Sequence, residues 1–451
     1  MTELKPDHYT ATAATTREPP RSISSSLKFL GPGFILSASI VGSGELIATT
    51  TLGAKAGFTA FWIIIVSCLV KVAIQLEFGK YAILTGETAM KSFNTLPGLR
   101  LGKASWAVWA IFLLTLLKVV QVGGMLGGTA IVMSMLFPSI SVIVWAVIIS
   151  VLAFLLIYRG LYGLIEKSSL VMIALFTLLT FASLIALNFS EYNISGAELL
   201  SGLKLKLPAS LVVIAIAAFG ITGVGSDEII AYNYWCLEKG YAAFAGPKTP
   251  DEAWKKRARG WIKVMYLDAF VAMVIYTLVT AAFYLLGAAV LHRRGLVPEG
   301  NEVIETLALI YTQSLGSGIK SAYLVGAFFV LFSSVFATLA AWSRLFSDIF
   351  GQLGWINFHN TAERKKMIAI LSWVFPVIWL FTFIFINLPV IMILFGGVVG
   401  SVMLLVVVFA AIIFHKRRLA FFKAGLLYEI CFWLSIIAIL MVALLGVAKL
   451  S

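Results

Sequence analysis

The chain has 451 residues, of which 61% are hydrophobic and 12% are charged, and its mean hydropathy is +0.99. This composition excludes a water-soluble protein and predicts a polytopic membrane protein made of α-helices, because a helix satisfies its own backbone in lipid. The net charge of +13 would suggest a nucleic-acid partner in a soluble protein. Here we expect the basic residues to lie in loops on one side of the membrane, and we expect no nucleic-acid partner.

The first 27 residues are polar and include Pro6, Pro19 and Pro20. They lack the apolar segment of a signal peptide. We therefore predict a disordered cytoplasmic tail over residues 1–27, followed by a single transmembrane domain over residues 28–451.

Eleven windows of about 20 apolar residues follow the tail, and each is long enough to cross a bilayer as a helix. The predicted spans lie near 29–53, 58–78, 104–136, 138–158, 165–187, 208–236, 262–290, 320–347, 366–387, 388–414 and 424–448.

Basic residues are concentrated in alternate loops, at 79–103, 159–167, 237–263, 359–366 and 415–423. The positive-inside rule then predicts a cytoplasmic N-terminus and, with eleven spans, a C-terminus outside. We expect an integral protein of a bacterial-type plasma (inner) membrane, in contact with membrane lipid. The basic stretch 248–263 is open to two interpretations, namely contact with acidic lipid headgroups or an ordinary solvated loop.

Two predicted spans are interrupted by glycine, which costs a helix about 1 kcal/mol relative to alanine. The first span contains Gly42, Ser43 and Gly44, followed by Glu45. The sixth span contains glycines within residues 220–225, followed by three polar residues, Ser226, Asp227 and Glu228. The two interruptions are five spans apart, which predicts two inverted five-helix repeats, spans 1–5 and 6–10, with span 11 as an addition.

Interrupted helices at membrane depth are tolerated where they line a cavity, and freed carbonyls there attract cations. Glycine packing and helix capping explain either interruption alone. Equivalent positions in two repeats, both with carboxylates, favour a transport site. The predicted substrate-binding residues are Gly42, Ser43, Glu45, Thr222, Gly223, Ser226, Asp227 and Glu228.

Three stretches resemble the Nramp family of divalent-metal transporters. They are GPGF at 31–34, LGAKAGF at 52–58 and ILTGETA at 83–89. The resemblance implies a LeuT-type inverted-repeat fold, with discontinuous helices 1 and 6, and transport of a divalent metal cation.

The family motifs themselves differ in this chain. The family's Asp-Pro-Gly-Asn corresponds to residues 42–45, and its Met-Pro-His-Asn to residues 224–227. Lys118 and Gln121 stand where coupled members carry an aspartate and a glutamate that transfer protons. Without thioether or imidazole ligands in the breaks, we expect no preference for manganese or iron over hard cations such as Mg²⁺. We also expect no proton coupling by the usual Nramp route.

Two functional hypotheses remain. In the first, a secondary transporter moves a divalent cation by alternating access, with Glu45 and Asp227 as metal ligands. In the second, an amino acid or other small organic substrate binds, and Lys118 holds its carboxylate. Lys118 is also open to a third interpretation, in which it snorkels to the membrane surface. The sequence contains no enzyme motif and no phosphate-binding loop, so neither catalysis nor a cofactor is expected.

Overall fold

The computed structural model describes residues 9–42, 44–158, 162–249, 251–418 and 425–450. Ser43, which is one of the predicted site residues, lies outside the described residues. So do residues 1–8 of the predicted tail and parts of the basic loops 159–167 and 415–423.

Helices dominate the described first half, which also contains a short antiparallel hairpin of β1 (Arg100–Leu101) and β2 (Ala104–Ser105). The helices are α1 (Ile23–Leu27), α2 (Pro32–Ile40), α3 (Thr50–Ala56), α4 (Phe61–Thr85), α5 (Ala89–Asn94), α6 (Trp106–Leu117), α7 (Val119–Leu136), α8 (Val142–Tyr158) and α9 (Tyr162–Ala186).

The second half is also helical. Its helices are α10 (Gly196–Gly202), α11 (Val212–Ile221), α12 (Ser226–Lys239), α13 (Tyr241–Ala245), α14 (Glu252–Leu286), α15 (Val303–Leu315), α16 (Lys320–Leu353), α17 (Thr361–Ile386), α18 (Pro389–Ile413) and α19 (Leu426–Leu450). Turns of π-helix adjoin three of these helices, at Gly44–Thr49, Gly287–His292 and Phe414–Arg418. Among the described helices, α14 and α16 are the two longest.

Within the described ranges, eight helices are long and apolar enough to cross a membrane. A ninth results if the bent pair Pro32–Ile40 and Gly44–Ala56 is counted as one span. The shorter apolar helices Val142–Tyr158 and Ile173–Phe189 coincide with predicted spans 4 and 5. The predicted all-α membrane fold is therefore confirmed, whereas the count of eleven spans stays a prediction.

Both predicted helix breaks are present. In the first span, α2 ends at Ile40, and a π-helical turn from Gly44 leads into α3 after a bend of 42°. In the sixth span, α11 ends at Ile221 and α12 begins at Ser226. Gly223 lies between them with a φ of +63°, a conformation that glycine adopts without the steric cost of a Cβ atom.

Glycine also brings α11 and α18 into close contact. A Cβ atom at Gly220 would lie 1.9 Å from the carbonyl oxygen of Gly397, and one at Gly397 would lie 2.1 Å from that of Ala217. Only glycine allows two helix backbones to approach this closely. The packing interpretation therefore holds for Gly220. The break between Ile221 and Ser226 makes contacts other than helix packing.

The described part of the tail begins at Tyr9, whose hydroxyl donates to Glu238 over 2.7 Å. The Arg17 N–H donates to the carbonyl of Phe244 over 2.9 Å, and Trp261 donates to the carbonyl of Arg17 over 3.1 Å. Residues 9–17 thus lie against α12, α13 and α14. The predicted disorder of the tail stays a prediction.

Candidate substrate site between the two broken helices

A small cavity of about 30 Å³ lies between the two breaks. Its walls come from α2 and the first π-helical turn, from α7 with the residue before it, from both sides of the second break, and from α16. A single water needs about 10–15 Å³ of such volume. The cavity therefore accommodates an ion or one or two waters.

Asp227 lies in the first turn of α12 and lines this cavity. One carboxylate oxygen accepts a hydrogen bond from the Lys118 ammonium, and the other accepts one from the Trp342 indole over 3.0 Å. Lys118 connects α6 to α7 and is only 3% exposed. Lys118 therefore faces the site, and the snorkelling interpretation is wrong.

Glu228 also lines the cavity, next to Asp227. Its Oε2 accepts from the N–H of Gly225 over 2.7 Å, which caps the start of α12. Its Oε1 accepts from the Ser39 hydroxyl of α2 over 2.7 Å. This carboxylate therefore caps the second helix fragment and connects it to the first broken span.

One face of α7 supplies a third side of the cavity. Gln121 lies three residues after Lys118, and Met125 lies four residues after Gln121. This spacing places side chains on one helix face, and all three residues line the cavity. The buried Oε1 of Gln121 has no hydrogen-bond partner among the described residues. The sequence prediction included Lys118 and Gln121 but missed Met125, although the same spacing would have identified it.

Glu45 is fully buried but is not part of the cavity wall. Its Oε1 accepts from the N–H of Gly223 over 3.2 Å and from the Thr280 hydroxyl over 3.1 Å. Its Oε2 is buried without a hydrogen-bond partner in the described part of the chain. Glu45 therefore connects the first break to the second break and to α14.

The remaining predicted residues surround the breaks without lining the cavity. The Thr222 hydroxyl donates to that of Ser67 over 2.9 Å, and Ser226 is fully buried. A Cβ atom at Gly42 would lie 1.6 Å from the Ser334 hydroxyl oxygen, so Gly42 permits close packing on α16. The structure thus divides the prediction into cavity residues (Lys118, Gln121, Asp227 and Glu228) and residues that form the breaks (Gly42, Glu45, Thr222, Gly223 and Ser226).

Within the described residues, no three or more histidine, cysteine, aspartate or glutamate side chains converge in a group able to hold a metal ion. The oxygen-bearing acidic and amide side chains on the cavity wall are those of Asp227, Glu228 and Gln121.

Comparison with known sequences gives one family. The model of the family described as natural resistance-associated macrophage protein-like, Nramp, matches residues 33–449. An uncharacterised protein of Pasteurella multocida is 28% identical over 70% of this chain and 69% of its own length. Proteins named divalent metal cation transporter MntH are similar in Xanthomonas campestris (26% identical; 70% and 67% covered) and in Staphylococcus aureus (24%; 78% and 74%).

Solved structures show the same fold at low sequence identity. A crystal structure of a mutant Eremococcus coleocola manganese transporter has a TM-score of 0.67 and 13% identity, over 97% of this chain and 90% of that chain. Mhp1, a nucleobase-cation-symport-1 family transporter, has a TM-score of 0.57 and 12% identity, over 99% and 96%.

These neighbours confirm the predicted LeuT-type fold. The family match covers most of the chain, including both broken helices and the helix that carries Lys118. The chain therefore belongs to the Nramp family, whose members are membrane transporters and not enzymes.

Proposed function

We propose that the protein is a secondary transporter that moves a divalent metal cation across the membrane by alternating access. The observation that supports this most directly is the ion-sized cavity between the two helix breaks, lined by Asp227 and Glu228. Ionisable groups at membrane depth are costly and mark transport pathways. The names of the MntH relatives, which describe divalent metal cation transporters, agree with this proposal.

Asp227 and Glu228 are the proposed carboxylate ligands, together with the amide oxygen of Gln121, which has no hydrogen-bond partner among the described residues. Glu45, the other ligand expected from the sequence, has one oxygen bonded to Gly223 and Thr280, while its second oxygen has no partner in the part of the chain that the structure describes. These contacts support a bracing role for Glu45 beside the cavity. It acts as a ligand only if its Oε2 turns into the cavity.

Lys118 competes with the substrate in this proposal. Its ammonium is bonded to Asp227 where a cation would bind, and two positive charges in a poorly screened site repel each other strongly. A divalent cation must therefore displace the ammonium from Asp227. The ion pair neutralises the charge of Asp227 and lowers the affinity of this carboxylate for the cation.

The ligand set favours a hard cation such as Mg²⁺, because its donors are oxygen atoms. Met125 contributes a thioether to the cavity wall, and sulfur favours softer metals. We propose that the oxygen ligands, and not the Met125 sulfur, determine which metal the site prefers. Mg²⁺ is then a substrate, and Met125 adjusts the affinity for Mn²⁺.

We also propose that transport occurs without proton coupling by the usual Nramp route. Lys118 and Gln121 occupy the positions where coupled members, by resemblance, carry proton-transferring acids. Acidification of the lumen of proteoliposomes should therefore not accompany cation uptake. Acidification that depends on the cation would contradict this part of the proposal.

The arrangement of basic loops supports a cytoplasmic N-terminus and an external C-terminus in a plasma membrane. Engineered cysteines at residues 12 and 449, labelled with a membrane-impermeant reagent in intact cells, test this orientation. Only residue 449 should react. Labelling of residue 12 would show that the orientation is the opposite of the one proposed.

An uptake screen of the purified protein in liposomes, against Mg²⁺, Ca²⁺, Mn²⁺ and a set of amino acids, tests the proposal. We expect saturable uptake of a divalent cation that Asp227→Ala abolishes. The expectation from the sequence is the same for Glu45→Ala. Wild-type rates in both variants, or uptake of amino acids alone, would refute the assignment.

A further inference from the structure

Lys71 is a second buried lysine next to the sixth-span break, and the transport proposal does not use it. It lies in the middle of α4 and is fully buried. Its ammonium donates to the backbone carbonyls of Phe219 over 2.6 Å and Thr222 over 2.5 Å. Among the described residues Lys71 forms no ion pair with a carboxylate. A charge this deep in the protein is costly unless its surroundings replace water.

The two carbonyls are available because the helix is broken. In a continuous helix the N–H of Gly223 would donate to the carbonyl of Phe219, four residues earlier. Here that N–H donates to Glu45 instead. Thr222 follows the last residue of α11 in an extended conformation, outside either helix fragment. The break therefore leaves two carbonyl oxygens on one side, directed at the same point.

The surroundings of this point resemble a site for a monovalent cation. The Ser67 hydroxyl donates to the same two carbonyls, that of Phe219 over 3.1 Å and that of Thr222 over 3.0 Å. The Phe219 ring faces the ammonium at 5.0 Å from its centroid. Carbonyl oxygens and a ring face are what a small desolvated cation requires.

We propose that the carbonyls of Phe219 and Thr222 form a monovalent-cation site that Lys71 occupies permanently with its own ammonium. Unwound carbonyls of broken transporter helices are able to coordinate a coupling ion. In this chain the ion is a side chain and cannot leave. The wild-type protein therefore needs no free Na⁺ or K⁺ at this break, and removal of the ammonium creates a vacant site.

Lys71→Met is the most informative variant, because the methionine side chain reaches about as far as the Lys71 Cε and omits the ammonium. Lys71→Arg retains the charge. Lys239→Met is the matched control, since the Lys239 ammonium also donates to a backbone carbonyl, that of Leu30 over 2.8 Å, but outside both breaks. Lys239 contributes nothing to the proposed cation cavity.

The readout is the melting temperature of the purified protein in choline chloride, compared with ammonium, sodium and potassium chloride at equal ionic strength. We expect one melting temperature in all four salts for the wild type, for Lys71→Arg and for Lys239→Met. Lys71→Met should melt at a lower temperature in choline, and at least one of the small cations should restore it saturably. This readout does not depend on which substrate the protein carries.

Two results would overturn the proposal. One is a Lys71→Met protein whose melting temperature is the same in every salt. The other is a wild-type protein that Na⁺ or K⁺ stabilises specifically, because its site would then be empty. If Lys71→Met cannot be purified, the wild-type comparison alone decides, and the wild-type rate of substrate uptake should also be unchanged when choline replaces Na⁺ and K⁺.

Discussion

Lys118 and Lys71 are both buried beside the sixth-span break, but they neutralise different groups. Lys118 pairs with the carboxylate of Asp227 in the cavity wall, where a substrate cation has access. Lys71 binds two backbone carbonyls on the far side of the break, outside the cavity wall. A divalent cation in the cavity reaches Asp227 and competes for its negative charge, whereas the two carbonyls carry no net charge and lie outside the cavity wall. The same residue type therefore acts as a competitor in one place and as a fixed part of the fold in the other.

The largest effect should follow from removing the charge for which Lys118 and the substrate compete. Asp227→Asn should reduce cation uptake by about 100-fold, equivalent to about 2.7 kcal/mol. The variant removes a ligand charge and also leaves the Lys118 ammonium without its anion. Uptake into proteoliposomes measures the effect. Asp251→Asn is the matched control, because Asp251 caps α14 and asparagine is an equally good cap. Equal rates in the two variants would exclude Asp227 from the site.

Removal of the competitor should have a smaller effect of opposite sign. Lys118→Met should bind the divalent cation about tenfold more tightly, which corresponds to about 1.4 kcal/mol. The physical reason is that Asp227 is then unpaired before the cation arrives. Lys118→Arg should bind like the wild type, because it keeps the ion pair. Titration calorimetry of the purified proteins measures the affinities. Unchanged or weaker binding by Lys118→Met would show that the ammonium does not compete with the substrate.

Substitutions of Glu45 distinguish a bracing role of its carboxylate from a role as a metal ligand. Glu45→Gln keeps an oxygen that accepts from Gly223 and Thr280, so a bracing role predicts a loss of uptake of less than about tenfold, or 1.4 kcal/mol. Glu45→Ala leaves the buried N–H of Gly223 without an acceptor, at about 1–3 kcal/mol, whereas the Thr280 hydroxyl still has the Tyr276 carbonyl. Glu45→Ala should therefore be the weaker transporter. Uptake rates and melting temperatures of the two variants measure this difference. If Glu45→Gln is as defective as Asp227→Asn, the Glu45 carboxylate contacts the cation.

The smallest effect concerns metal preference. Met125→Leu is close to volume-conserving and should cost less than about 1.5 kcal/mol of stability. Mg²⁺ uptake should stay at the wild-type rate, while the affinity for Mn²⁺ falls by about threefold, or 0.7 kcal/mol. Competition between the two metals in the uptake assay measures the change, with Met133→Leu, on the same helix but outside the cavity wall, as control. Equal losses for both metals would show that the Met125 sulfur has no part in selectivity.

The fold was largely predictable because the determining signals are local. Hydropathy within one window identifies a span, and glycines followed by carboxylates identify a break without knowledge of the neighbouring helices. The predicted breaks at 42–45 and 220–228 coincide with the ends of α2 and α11. The resemblance in three stretches between residues 31 and 89 then indicated the family that the comparison over residues 33–449 shows.

The site was predictable only in part, because it depends on which way each helix faces. The contact between Lys118 and Asp227 connects residues 109 positions apart, and that between Lys71 and Thr222 connects residues 151 positions apart. No local pattern reveals such pairs. Glu45 follows a glycine break just as Asp227 does, yet it turns toward Thr280 and away from the cavity wall. Thr280 and Trp342, which bond these two carboxylates, carry no sequence signal of their own.

The central claim is that a divalent cation binds between Asp227, Glu228 and Gln121 by displacing Lys118. A crystal structure with Mn²⁺ as an anomalous scatterer tests it directly. The claim predicts one anomalous peak at about 2.1–2.2 Å from an Asp227 carboxylate oxygen, close to the distance typical of small divalent cations. It also predicts that the Lys118 ammonium no longer contacts Asp227. A peak elsewhere, or no peak with the Lys118–Asp227 pair intact, would contradict it.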